Sequence, residues 1–304
     1  MNESEFRREK YKRAILGLVL VALTLVGAAC RQGKENDQAP KLDSIQEPER
    51  ASTINSEGMD LATRIGVPPG FERVEVAAGS FAEYLRQLPL KPDGAPVLYH
   101  DGREKRNAGV YVAVVEMSLG DRDLQQCADA IMRLRGEYFW GRGEYEKIAF
   151  NFTNGFPVPY SKWMEGYRIS FSGNTASWYE KTSPSNTYED FLRYMDIIFA
   201  YAGTLSLEQE LVSVPWEEME IGDVLIRGGS PGHAVLVVDM AENKNTGEKL
   251  YLLAQSYMPA QDTQLLANPS DAALSPWYAL SETGAEIRTP EWTFTRDQLR
   301  RFPE

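Results

Sequence analysis

The sequence has few of the residues and motifs on which many enzymes depend. Two cysteines, Cys30 and Cys127, and two histidines, His100 and His233, occur among its 304 residues. The two thiols lie in unrelated contexts, so we expect no disulfide between them. Neither a Walker-type phosphate loop nor a dinucleotide fingerprint is present. We expect neither a cofactor nor a metal, and His233 is the better of the two imidazoles for any chemistry.

Basic charge is also scarce in this chain. Lysine and arginine number 32 against 44 aspartates and glutamates, which gives a formal net charge of -12 at pH 7. Proteins that bind nucleic acid carry basic patches, so we expect no nucleic-acid partner. Hydrophobic residues make up 43% of the chain and charged residues 25%, as in ordinary globular proteins.

The N-terminal apolar stretch is too short to cross a bilayer comfortably. It covers residues 14–26, is interrupted by Gly17 and Thr24, and follows a basic stretch over residues 7–13. This combination is typical of the charged and apolar regions of a signal peptide. We predict that residues 1–29 are a signal peptide.

A lipid-attachment motif follows the apolar stretch. The run LVGAAC ends at Cys30 and resembles the bacterial lipobox, although Gly27 stands where leucine is usual. The resemblance implies cleavage before Cys30 and a membrane lipid on its thiol. Arg31 implies, by the sorting rule, an outer-membrane or periplasmic-side location in the cell envelope. A secreted protein cut near Ala29 and an uncleaved anchor are the alternatives.

The segment after Cys30 lacks aromatic residues. Residues 31–58 are rich in Gln, Glu, Asp, Asn and Ser, and such a segment cannot bury enough apolar surface to become ordered. We predict a lipidated cysteine and disordered tether over residues 30–60, and a single domain over residues 61–304.

The stretch from Ile221 to Asp239, IGDVLIRGGSPGHAVLVVD, predicts a strand, a loop and a second strand. The second run, His233 to Val238, is almost wholly apolar, as in a strand covered on both faces. His233 therefore begins a buried strand and is presented by a glycine-rich loop. The turn ENKNTGE and the run LYLLAQSY then predict a hairpin whose returning strand carries Gln255.

The strongest helical pattern runs from Leu124 to about Trp140. Asp123, followed three residues later by Gln126, indicates a capping box at its start. Apolar residues at spacings of three and four predict that Cys127 lies in the first turn and faces the core.

Other patterns complete a mixture of helices and strands. We predict a central, β-branched strand over Gly109–Met117, a helical pair between Thr187 and Val212, and a short terminal helix over Asp297–Phe302. Helices that come first and antiparallel strands that follow predict an α+β fold.

Three residues from these elements can form one catalytic site. A thiol attacks a carbonyl as the thiolate, and a helix N-terminus and a neighbouring imidazolium both lower its pKa from about 8.5. We predict Cys127 as nucleophile, His233 as base and Gln255 as the residue that orients the imidazole. Gln261 is the alternative for the third role. Asp239 shares a strand with His233 but is roughly 20 Å away and cannot reach it.

The order of glycine, aspartate, strand, small-residue loop, histidine and apolar strand resembles papain-like domains of the NlpC/P60 and CHAP kind. The resemblance implies an antiparallel sheet packed on an N-terminal helix that carries Cys127, with His233 as base and Gln255 as orienting residue. The interval from Cys127 to His233 is longer than is usual in those domains. The helices between Thr187 and Val212 would therefore be insertions.

A longer stretch, from about Gly70 to Phe302, is similar to the bacterial lipoprotein family called domain of unknown function 4846. The words that carry this similarity are DLQQCADAIMRLR, YAGTLSLEQEL, GDVLIRGGSPGHAVLVVD and LLAQSYMPAQ. The family has no settled activity, so the similarity implies a grouping and no reaction.

Three functions are consistent with these patterns. The first is a thiol hydrolase, amidase or acyltransferase of the cell envelope that acts on peptidoglycan or peptide amides. The second is a non-catalytic lipoprotein that binds a glycan, a peptide or a protein partner, with Cys127 and His233 as buried structural residues. A structural subunit of an envelope assembly is a third. Aromatic residues that could line a binding groove are Trp140, Trp163, Trp178 and Trp277.

Overall fold

The computed structural model describes residues 53–281 and 284–303, which form short helices around an antiparallel sheet. The helices are α1 (Leu61–Arg64), α2 (Phe81–Arg86), α3 (Cys127–Gly141), α4 (Tyr160–Met164), α5 (Tyr188–Tyr201) and α6 (Thr204–Glu210). The strands are β1 (Glu72–Arg73), β2 (Tyr111–Val114), β3 (Ala149–Asn151), β4 (Pro157–Pro159), β5 (Tyr167–Ser172), β6 (Thr175–Glu180), β7 (Val212–Ser213), β8 (Val224–Arg227), β9 (His233–Glu242), β10 (Lys249–Gln255), β11 (Gln264–Leu266), β12 (Tyr278–Ala279), β13 (Glu286–Arg288), β14 (Thr293–Thr295) and β15 (Leu299–Arg301). Turns of 3-10 helix cover Ala108–Val110, Tyr145–Lys147, Trp216–Glu218 and Arg296–Gln298.

The main sheet has the strand order β2, β11, β10, β9, β8, β15, β7, with β1 paired to β9 and β12 paired to β10. The hairpins β3–β4, β5–β6 and β13–β14 form separate two-stranded sheets. Every strand pair within residues 53–281 and 284–303 is antiparallel. The prediction of an α+β fold with an antiparallel sheet is confirmed.

The predicted strand, loop, strand and hairpin are present as β8, β9 and β10. Strand β9 is buried along almost its whole length because both faces of the sheet are covered. Ala234 and Leu236 pack into one hydrophobic cluster, whereas Val235 and Val237 pack into a second cluster on the opposite face. This double burial is the reason that the sequence of the strand is apolar without alternation.

Helix α3 begins at Cys127, three residues later than the sequence predicted. Asp123 is not its N-cap, because the Asp123 Oδ1 accepts hydrogen bonds from the Ala260 amide at 2.7 Å and from the Gln126 side chain at 3.1 Å. Gln126 is the N-cap instead, and its amide donates to Asp129 Oδ2 at 3.0 Å. Cys127 is therefore the first helical residue.

The helical pair predicted between Thr187 and Val212 is present as α5 and α6. Thr187 caps α5 by accepting a hydrogen bond from the Asp190 amide. Helix α5 packs closely on α3, where a Cβ added at Gly136 would lie 3.2 Å from Phe191 and 3.3 Å from Met195. Glycine at this position lets the two helices approach.

The prediction of a central strand over Gly109–Met117 is wrong, because β2 lies at one end of the strand order. Its outer edge is covered by a short extended segment: Lys91 donates its amide to the Val114 carbonyl at 2.8 Å, and Leu90 bridges to Val115. This short segment covers the outer edge of β2 in place of a further strand.

The prediction of a terminal helix over Asp297–Phe302 is also wrong. Strand β15 occupies Leu299–Arg301 and pairs with β8 and β7. Arg301 places its Nε 2.6 Å from Oδ1 of the buried Asp223 at the start of β8. A pairing partner far away in the sequence thus decides the conformation of this segment.

Residues 1–52 are outside the described part of the chain, and with them lie the predicted signal peptide, Cys30 and most of the tether. In the remaining predicted tether, residues 53–60, Ile54 bridges to Ile65 and Asp60 caps α1. The packed chain therefore begins before Leu61. Among the described helices, none combines the length and the apolar character that a bilayer crossing requires.

Candidate active site

Cys127 and His233 are brought together by the packing of α3 against the start of β9. The backbone amide of Ala234 acts on the Cys127 sulfur, together with the amides of Ala128 and of Cys127 itself. Ala234 follows His233 directly, so this contact places the sulfur near the first residues of β9. Both Cys127 and His233 line one cavity of about 720 Å³.

The glycine loop before His233 is fitted tightly against the start of α6. A Cβ added at Gly232 would lie 2.4 Å from both the Gly229 carbonyl oxygen and Thr204 Oγ1, so the loop cannot accommodate a side chain there. The Thr204 hydroxyl also donates to the Gly229 carbonyl at 3.3 Å. This contact fixes the loop that delivers the imidazole to the cavity.

Gln255, at the end of β10, contacts the imidazole. His233 Nε2 lies 2.8 Å from Oε1 of Gln255, the residue that we predicted for the orienting role. The following residue, Ser256, has its hydroxyl oxygen 3.2 Å from the Gln125 carbonyl, just before α3. The strand that holds Gln255 is thus tied to the start of the helix that carries Cys127.

A carboxylate and a lysine extend this chain of contacts behind Gln255. Gln255 Nε2 donates to Glu291 Oε2 at 2.7 Å, and Lys105 Nζ donates to the same oxygen at 2.6 Å. The Lys105 side chain is almost fully buried. Glu291 lies in the turn between β13 and β14, and Lys105 lies on the segment that precedes β2.

These contacts determine which nitrogen of the imidazole can accept a proton. A carboxylate only accepts hydrogen bonds, so Glu291 requires the NH₂ group of the Gln255 amide, and the amide oxygen must face His233. The oxygen in turn requires a protonated Nε2 on the ring. In the neutral imidazole, Nδ1 is then the nitrogen without a proton, and it is the one available to act as a base.

Residues 61–301 match a family model described as a domain of unknown function (4846). The chain belongs to the domain of unknown function 4846 family. No curated protein and no solved structure matches it. Cys127, His233, Gln255 and Glu291 all lie within the matched part of this family's domain.

The thiol in this domain has a raised pKa, contrary to the lowered one that the sequence led us to expect. Burial, and next the charge of Asp129, raise the pKa of Cys127 to about 11, although three backbone amides act to lower it. Desolvation therefore outweighs the helix N-terminus. The residue is nevertheless only partly buried, because it forms part of the cavity wall.

The imidazole is neutral over the physiological range. Burial lowers the pKa of His233 to about 4, the hydrogen bond with Gln255 acts to raise it, and the charge of Lys105 lowers it. His233 is 1% exposed, and its ring centroid lies 4.6 Å from that of Tyr257 and 5.4 Å from that of Trp292. A neutral thiol and a neutral base thus face the cavity at rest.

Gln261, the alternative for the third residue, and Asp239, which the sequence excluded, are both engaged elsewhere. Gln261 donates to the Pro259 carbonyl at 3.3 Å and accepts from Gln264. Asp239 accepts from Arg73 and Arg86 in a buried cluster, at 2.7 and 2.8 Å. Neither side chain forms a hydrogen bond with His233 in the described part of the chain.

The tryptophans suggested for a groove also lie away from the cavity. Trp163 and Trp277 are buried, and Trp140 and Trp178 are not among the cavity-lining residues. Trp292, in the turn that holds Glu291, is the tryptophan of the cavity wall. Within the described residues, no group of three or more His, Cys, Asp or Glu side chains is placed to hold a metal ion.

Sequence reasoning missed several residues at the site. Glu291, Lys105 and Trp292 lie on loops whose sequence shows no periodicity, and only tertiary packing brings them to His233. Asp129 could have been suspected, because it stands two residues after Cys127 in the first turn of the predicted helix. Tyr257 could have been inferred from the run LYLLAQSY as a neighbour of Gln255.

Proposed function

We propose that this chain is a cell-envelope lipoprotein whose papain-like domain is a cysteine hydrolase of amide bonds, in peptidoglycan or in a peptide. One observation carries the proposal: Cys127 and His233 line the same cavity, and Gln255 holds the imidazole with its Nδ1 as the proton-accepting nitrogen. A thiol nucleophile and an oriented base must lie at one site, and the shared cavity and the held imidazole support that role.

The reaction begins from a neutral pair. As the Cys127 sulfur bonds to the carbonyl carbon, its proton passes to His233 Nδ1 and the carbonyl electrons move onto oxygen. The first amides of α3, those of Cys127 and Ala128, supply donors for this oxyanion, and the positive end of the helix dipole favours it. Because the proton moves during the attack, the reaction does not need a thiolate at rest.

The tetrahedral intermediate then collapses to an acyl-enzyme. His233 returns the proton to the leaving amine as the carbon–nitrogen bond breaks. The same ring next takes a proton from water, whose oxygen attacks the thioester, and the ring returns that proton to the Cys127 sulfur as the carbon–sulfur bond breaks. If an amine or hydroxyl enters instead of water, the product is that of acyl transfer.

A labelling experiment tests this proposal. The chain with Cys30→Ser, in which Cys127 is the remaining thiol, is treated at pH 7.5 with a peptidyl acyloxymethyl ketone, which alkylates nucleophilic cysteines. We expect labelling at Cys127 that is lost in Cys127→Ala and falls at least tenfold in His233→Gln. Equal labelling of the native chain and the urea-denatured chain would contradict the proposed hydrolase activity.

A non-catalytic binding function is the second candidate, and the electrostatics favour it. The pKa of Cys127 near 11 and that of His233 near 4 leave no thiolate–imidazolium pair at rest. In that case the cavity binds a glycan, a peptide or a protein partner without turnover. Retention of intact cell-wall fragments by both the parent and Cys127→Ala, with no released product, would favour binding over hydrolysis.

The lipid anchor is a separate part of the proposal and rests on the sequence around Cys30. We infer lipid attachment at this thiol and an outer-membrane or periplasmic location. In cells, the parent should partition with membranes and incorporate a labelled fatty acid, and Cys30→Ser should do neither. Membrane association of Cys30→Ser equal to that of the parent would contradict the lipid attachment.

A further inference from the structure

Asp129 is a buried carboxyl on the wall of the cavity, and the proposed reaction leaves it without a role. It lies in the first turn of α3, is 5% exposed, and lines the same cavity as Cys127. Its charge acts on the Cys127 thiol. A group in this position can contact a substrate that the thiol attacks.

Helix capping engages only one of the two oxygens of the Asp129 carboxyl. Oδ2 accepts a hydrogen bond from the Gln126 amide, but Oδ1 is buried with no hydrogen-bond partner. No basic side chain pairs with this carboxyl within the described part of the chain. Burial raises the pKa of Asp129 to about 8, so the group is largely protonated at neutral pH. An unpaired buried carboxyl costs stability, and capping alone requires only one oxygen.

The rest of the cavity wall also contains a carboxyl group and no charged basic side chain. Asp123 also lines it, whereas no lysine or arginine does. The one basic side chain of the wall, His233, is neutral because its pKa is lowered to about 4. The wall therefore offers two carboxyl groups and no fixed positive charge, which disfavours an anionic ligand and favours a cationic one.

We propose that the cavity takes a substrate with a primary ammonium group close to the amide that is cleaved, and that Asp129 binds this ammonium through its free oxygen. The inference rests on the proposed function and names its substrate class: an amide or peptide with an unblocked amino group. An N-acylated or anionic group at the same position would leave the carboxyl unpaired.

The pairing has a consequence for protons. A protonated Asp129 must release its proton when an ammonium group binds, because the ion pair stabilises the carboxylate. Binding at neutral pH therefore releases up to one proton to the solvent.

Alkylating reagents of different charge test the proposal without requiring turnover. The chain with Cys30→Ser is treated with N-(2-aminoethyl)iodoacetamide and with its neutral analogue N-propyliodoacetamide. Each rate at Cys127 is divided by the rate of the same reagent with 2-mercaptoethanol. We expect the cationic reagent to be preferred at least tenfold, and Asp129→Asn to reduce the preference to less than twofold. Asp123→Asn is the matched control and should retain most of it.

The outcomes separate this proposal from the hydrolase itself. A corrected ratio near one in the parent, or an undiminished preference in Asp129→Asn, overturns the ammonium site. If the cationic reagent is preferred through Asp129 but the protein cleaves no amide, the ammonium site is supported and the hydrolase activity is contradicted. If the protein cleaves amides without preferring the cationic reagent, the hydrolase activity is supported and the ammonium site is contradicted.

A second measurement does not depend on the reactivity of the thiol. In Cys127→Ala, alanine amide should raise the thermal unfolding midpoint more than N-acetylalanine amide does. The difference should vanish in Cys127→Ala/Asp129→Asn. Equal shifts with the two ligands, or no shift with either, contradict the proposal.

Discussion

Gln255 and His233 are joined by a hydrogen bond of 2.8 Å between Oε1 and Nε2, and the other end of the same amide is held by the Glu291 carboxylate. The carboxylate can only accept hydrogen bonds, so it holds the NH₂ group of the Gln255 amide. The oxygen of the amide then faces the ring and accepts a hydrogen bond from Nε2. Direct contact with a carboxylate would raise the pKa of the imidazole strongly, whereas an amide orients the ring and leaves it neutral.

Removal of the Gln255 amide should slow acylation of Cys127 while the fold is retained. In Gln255→Leu, the Nε2–H of His233 loses its acceptor in a buried site, which costs about 1–3 kcal/mol. We expect the rate constant for labelling of Cys127 by the acyloxymethyl ketone to fall roughly 10- to 100-fold. Gln261→Leu, which alters an amide away from the ring, is the control and should leave that rate within twofold of the parent.

Glu291 should determine the tautomer of His233. With His100→Gln as background, His233 gives the only histidine signals, and ¹⁵N chemical shifts report which nitrogen carries the proton. We expect a protonated Nε2 and an unprotonated Nδ1 at pH 7, and a mixture of tautomers in Glu291→Ala, where the Gln255 amide is free to turn over. A protonated Nδ1 in the parent would refute the proposed direction of the hydrogen bonds.

Acid should destabilise the domain partly through His233. The pKa of this residue is about 4 in the folded protein and 6.5 ordinarily, so between these values the unfolded chain binds more protons. Stability is therefore lost as the pH falls from 6.5 through 4, by up to about 3 kcal/mol. We expect His233→Gln to lose less stability than the parent over this range, as measured by urea unfolding at a series of pH values.

Asp129 should have the opposite effect on stability. Its pKa is about 8 in the folded protein and 3.8 ordinarily, so the folded chain binds more protons between these values and stability falls as the pH rises. The linkage costs on the order of 4 kcal/mol at pH 7. In Asp129→Asn the amide oxygen can still cap α3. We expect this variant to gain at least 1 kcal/mol on the parent between pH 4 and pH 8 in the same urea titrations. A constant difference across that range would show that Asp129 is ionised in the folded protein.

The hairpin and its two candidate site residues, His233 and Gln255, could be predicted because their signals are local. The apolar run after His233 and the turn before Leu250 fix β9, β10 and their approximate register within one short stretch of sequence. Diagonal contact across adjacent strands then limits the partners of His233 to a few residues, among them Gln255. Cys127 is likewise placed by the periodicity of its own helix.

The rest of the site depends on contacts that local patterns do not encode. Glu291 and Lys105 are far apart in the sequence and meet only because the β13–β14 turn packs beside the segment before β2. The same reason explains the terminal strand, whose pairing with β8 overrides its helical pattern. The cap of α3 was misplaced because Asp123 bonds to Ala260, a residue from a remote loop. Burial, which no local pattern measures, reversed the expected pKa shift of Cys127.

The central claim is that His233 takes the proton of Cys127 during attack on a carbonyl. The most direct measurement compares the second-order rate constants for labelling of Cys127 by the acyloxymethyl ketone at pH 7.5, in the Cys30→Ser chain with and without His233→Gln. If His233 acts as the base, the parent should label at least tenfold faster than this variant and faster than the denatured chain. Equal rates in the parent and His233→Gln would contradict the account.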